Sequence, residues 1–74
     1  MFGNAMKRFY LNRMVDMSGI SSTGCVAGGV CFDDGKCVVR WNTEVRSIEV
    51  WDSPQDMMSV HGHGGATMLI WMDK

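Results

Sequence analysis

His61-Gly62-His63-Gly64-Gly65 sets two imidazoles one residue apart in a backbone almost without Cβ atoms. Imidazole supplies a donor, an acceptor and a charge that switches near neutral pH. Glycine takes positive φ without steric cost and lets a ligand or another backbone come close. Consecutive amides in such a turn can form a concave nest for negative charge. The ligand these residues suit is therefore an anion, held more tightly as pH falls through about 6.5, the ordinary value for histidine. Zinc is a weaker fit. It needs three or four ligands, and Cys25, Cys31, Cys37, Asp33 and Asp34 show no C-x-x-C spacing to supply them. The plainer alternative is a helix-stop loop in which the glycines serve the backbone and the histidines bond locally.

A second candidate is Ser18-Gly19-Ile20-Ser21-Ser22-Thr23-Gly24. Hydroxyls of Ser21 and Thr23 could contact phosphate or ribose, although hydroxyls and glycines between strands also describe an ordinary turn. The lysine and helix order of a P-loop are absent. Arg40, with Arg46 and Lys36, is a source of counter-charge. Trp41, Trp51 and Trp71 could stack a base, but core or interface packing is the commoner role of indoles. Catalysis has little support: no serine sits in a nucleophile elbow, and no Cys-His pair is set by spacing. A binding protein without cofactor or metal is the expectation, with ligand or partner contacts at His61, Gly62, His63, Gly64, Gly65, Ser21, Thr23 and Arg40.

The elements that must position these residues are legible. Asp34-Gly35 is a favoured type I′ pair and predicts a two-residue hairpin loop. That register pairs Phe32 with Cys37, Val30 with Val39 and Gly28 with Trp41, giving one apolar face. It also turns Cys31 and Cys37 to opposite faces, so no intramolecular disulfide is expected and the three cysteines read as thiols. Lys7 to Val15 alternates with Phe9 and Leu11 on one face. Arg46 to Trp51 places Ile48 and Val50 inward. Ser53 reads as an N-cap, Pro54 as the first helical residue and Asp56 as a favourable charge in the first turn. Met57 and Val60 would form the inner stripe, and Gly62 a left-handed stop. Ala66 to Met72 is the last strand, apolar on both faces, hence either central or part of an interface.

The fold class is α+β, a mainly antiparallel sheet of four to five strands with one short helix. Residues 1–74 form a single small domain, with 1–6 a loose extension ahead of the candidate start at Met6. A net charge of −1 gives no bias towards nucleic acid or an anionic membrane. Unpaired cysteines and the lack of a leader or spanning run suggest a cytoplasmic protein. Apolar residues make up 46% of 74 residues. That is more than a minimal core hides, so a homodimer or higher homo-oligomer is expected, with Leu69 and Trp71 at or near the interface.

The run from Ser18 to Gly35, with Arg40-Trp41, His61-Gly62-His63-Gly64-Gly65-Ala66-Thr67 and Trp71, resembles a family of small phage and prophage proteins, also found in actinobacterial and archaeal genomes. The likeness extends from about Arg8 to Asp73. Ser22 stands where that pattern has glycine, and Gly28 where it has an acidic residue. The resemblance implies a genomic setting and no catalytic residues. In that setting the expected role is a non-enzymatic, stoichiometric antagonist of host defence. It would occlude a defence complex such as CRISPR or sequester a nucleotide signal. The alternative is a nucleotide- or metal-dependent enzyme accessory using the His-Gly-His turn. The partners are then a host defence protein or an anionic nucleotide, with no membrane and no direct nucleic acid binding.

Overall fold

The computed structural model describes residues 6–14 and 24–73. They form an antiparallel sheet of five strands, crossed on one face by a single helix. The strands are β1 (Lys7–Arg13), β2 (Gly24–Cys31), β3 (Cys37–Trp41), β4 (Ile48–Trp51) and β5 (Thr67–Trp71), and α1 spans Pro54–His61. Their order across the sheet is β4-β3-β2-β1-β5. This is the expected α+β architecture.

The core follows from the alternation of side chains across the pleat. Phe9 and Leu11 of β1 face inward beside Ala27 and Cys31 of β2 and Cys37, Val39 and Trp41 of β3. Met57 of α1 closes the layer from above and is fully buried. A bulge between Leu11 and Asn12 leaves Val26 without a direct partner, and both Val26 and Ala27 are buried. Gly29 is required by packing: a Cβ there would meet the Val38 carbonyl oxygen and the Phe9 ring.

The β2–β3 hairpin differs from the expected register by one residue. Cys31 pairs with Cys37, Val30 with Val38, Gly29 with Val39 and Ala27 with Trp41. The Phe32 N–H donates to the Lys36 oxygen at 2.8 Å and the Gly35 N–H to the Phe32 oxygen at 3.0 Å, enclosing a three-residue loop. A type I′ turn needs positive φ at both central residues. Here Gly35 has φ of 95° while Asp34 is not among the positive-φ residues. A slip of one residue moves a whole strand to its other face. Phe32 and Val30 therefore leave the core face, and Phe32 is 40% exposed.

The same shift corrects the reading of the thiols. Cys31 and Cys37 lie directly opposite each other with Cα atoms 4.2 Å apart and form a disulfide. They occupy the non-hydrogen-bonded position next to the Phe32–Lys36 bond, where antiparallel strands approach closest. Cys25 is the exposed, unbridged thiol.

Two further faces are reversed or displaced. In β4, Ile48 and Val50 are exposed, and Glu49 and Trp51 are the half-buried residues. In α1, Val60 is exposed, and Met58 packs on the core instead beside Met57. The helix start is as read from the sequence: the Asp56 N–H donates to Ser53 Oγ at 3.0 Å and Pro54 is the first residue. The last strand is not central, and only Thr67, Leu69 and Ile70 are buried or half-buried along it. It is an edge strand paired with β1 alone among the described residues.

Candidate functional site

Helix α1 delivers His61 to the core face of β3 and β4. Its Nε2 lies 3.1 Å from Glu49 Oε1, which also accepts the Trp51 Nε1–H at 3.1 Å. The imidazole sits against Trp41, with ring centroids 4.7 Å apart, and edge-on to Trp51 at 5.5 Å. Burial pushes the Glu49 carboxyl up. The Trp41 and Trp51 indoles and His61 outweigh that and hold it below the ordinary carboxylate value. The result is a carboxylate kept ionised among three aromatic rings, with one imidazole nitrogen oriented by it. A carboxylate that fixes a histidine ring is how a general base or a metal-binding imidazole is usually oriented.

Past His61 the chain turns sharply. Gly62 ends the helix in right-handed geometry (φ −72°, ψ −22°), with its N–H on the Met58 oxygen at 2.8 Å. The expected left-handed stop is delayed by one residue. His63, Gly64 and Gly65 have φ of 50°, 64° and 103° in succession. The Gly65 N–H donates to the Gly62 oxygen at 3.0 Å, and the Thr67 N–H to that same oxygen at 3.0 Å. Two of the three glycine amides expected to face a ligand, those of Gly62 and Gly65, are thus spent within the chain.

The two histidines are divided by this geometry. His61 is 21% exposed and faces the indoles, whereas His63 stands in solvent on the outer turn. Among the described residues the space beside Gly64 and Gly65 is open, since a Cβ at either would meet none of them within 4 Å. Arg40 alternates with Trp41 along β3 and so lies on the opposite sheet face from His61, with Nη2 3.4 Å from Asn42 Oδ1. Ser21 and Thr23 lie outside the described residues. Among the described residues no three of His, Cys, Asp and Glu are grouped to hold a metal. No described helix is long and apolar enough to cross a membrane.

Glu49 is the site residue that sequence reasoning left out, and Trp41 and Trp51, weighed there as stacking or core indoles, pack against His61. The one available signal was the alternation Glu49-Val50-Trp51, which puts a carboxylate and an indole on one face. Arg13 is also buried, at 8% exposure, with its Nε–H on Thr67 Oγ1 at 3.1 Å, which ties β1 to the end of the histidine turn.

No curated protein and no solved structure matches the chain. A family model for the Acb5 phage protein matches residues 6–73, which takes in the sheet, the helix and the histidine turn together. The chain belongs to the Acb5 phage protein family.

Proposed function

We propose that this phage protein antagonises host defence by binding an anionic nucleotide signal at the His61–Gly65 turn. The family name suggests an anti-CBASS protein, an antagonist of host defence. The observation that carries the reading is the position of His63. Its imidazole is exposed on a left-handed turn between glycines, and a Cβ at Gly64 or Gly65 would meet none of the described residues within 4 Å. A non-glycine residue with positive φ is unfavourable unless its surroundings hold it there. The His63 imidazole would meet a phosphate at that turn. The bound nucleotide is then withheld from its receptor without being turned over.

A second reading is favoured by the Glu49–His61 pair. An imidazole oriented by a carboxylate is the arrangement of a general base, and it suits hydrolysis of a phosphodiester as well as its capture. One experiment separates the two. The protein is titrated calorimetrically with a panel of cyclic and linear nucleotides, then heat-denatured, and the released ligand is examined by mass. Intact ligand supports capture, and a hydrolysed product supports the second reading. Absence of heat with every nucleotide overturns both.

A further inference from the structure

We propose that β5 is a self-association edge, pairing antiparallel with the β5 of a second copy of this chain. The Met72 N–H donates to the Arg8 oxygen at 2.9 Å and the Met14 N–H to the Ala66 oxygen at 2.7 Å. The even-numbered residues of β5 therefore direct their backbone groups to β1. In an antiparallel ladder the intervening residues direct theirs the other way. Thr67 spends its N–H on Gly62. Leu69 and Trp71 present N–H and C=O outward, where no described residue meets them. The strand Thr-Met-Leu-Ile-Trp holds no charge, proline or glycine, the devices that normally protect an edge. The opposite edge, β4, is shorter and carries Glu49.

The register follows from which groups are open. Setting Leu69 opposite the partner's Trp71 uses all four outward groups of the two residues on both copies. Ile70 then faces its own counterpart across the twofold axis, and Met68 faces the partner's Met72. Both rows are apolar, and Met68, Trp71 and Met72 are 49%, 45% and 55% exposed in the single chain. On the helix face, Pro54, Gln55, Met58, Leu69 and Trp71 line a groove of about 280 Å³ beside this edge. In this register the partner's Trp71 stands next to Leu69 on that face, where the groove has room for an indole. A second copy therefore supplies both the hydrogen bonds and the side chain that the edge lacks.

Sedimentation and light scattering at micromolar concentration test this, with wild type expected at twice the 8.3 kDa of one chain. Ile70→Lys places like charges across the axis and should return the mass to one chain while the circular dichroism stays unchanged. Val50→Lys, on the far edge, should remain dimeric. Ile70→Cys in a Cys25→Ser background should form a linked dimer on mild oxidation, because the non-hydrogen-bonded position brings the Cα atoms within bridging reach. A wild type of one-chain mass overturns the proposal, as does a dimer that survives Ile70→Lys or is lost with Val50→Lys. A nucleotide or peptide that fills the groove of a monomer would leave the mass at one chain and also counts against it.

Discussion

His63 is held in left-handed backbone geometry, which costs a non-glycine residue roughly 1–2 kcal/mol. His63→Gly removes both that strain and the imidazole. The expected outcome is a melting temperature equal to or above wild type, together with loss of nucleotide binding. A lowered melt with intact binding would show that the imidazole serves the fold. Glu49→Gln keeps the shape of the carboxyl but takes away the charge that orients His61. Under the hydrolytic reading, turnover should fall while ligand affinity changes little, as seen by comparing rates with calorimetric affinity. The histidines were legible because residue type and spacing are local facts. That Glu49 and Trp51 face His61 was not, because nothing along four residues says which face of β4 meets the core. Ile48 and Val50 are the more apolar pair, yet the helix lands on the other side.

The β2–β3 hairpin was visible from Asp34-Gly35 and its flanking apolar runs, but its register was not. Loop length depends on whether Asp34 also takes positive φ. Phe9 packing onto Gly29 from the neighbouring strand suits the observed register. Trp41→Ala should cost about 3–5 kcal/mol, the range for large core truncations, and also strip His61 of its packing partner. Denaturant unfolding measures this, and an unchanged midpoint would mean that the indole is not core. Replacing Cys31 and Cys37 together by alanine should cost about 2 kcal/mol, because a bridge over so short a loop constrains the unfolded chain only modestly. Adding reductant to wild type should reproduce most of that loss. The helix start was fully legible, since Ser53, Pro54 and Asp56 act within one turn.

Across the whole molecule β1 and the segment after β5 are clasped by Arg8 and Asp73. Arg8 N–H and Nε–H donate to Asp73 Oδ2 at 2.8 and 3.0 Å, and Nη2 donates to Oδ1 at 2.9 Å. These bonds hold the Asp73 carboxyl down to about 2 from 3.8. Glu49 is likewise lowered, burial being outweighed by its donors. Carboxyls with lowered folded values stabilise the protein above their unfolded values, and that contribution is lost as pH falls. Melting temperature should therefore decline between about pH 4.5 and pH 2. Asp73→Asn should shrink the lower part of that decline in a melt series across the range. The amino-acid sequence by itself determined the α+β class, the hairpin, the capped helix and the position of the histidine turn, because turn chemistry, capping and alternation act over a few residues. Tertiary structure alone decided the hairpin register and its disulfide, the inward face of β4, the separation of His61 from His63 and the exposed edge at β5. Each of those depends on what a distant segment packs against, and no local pattern of residues carries that information.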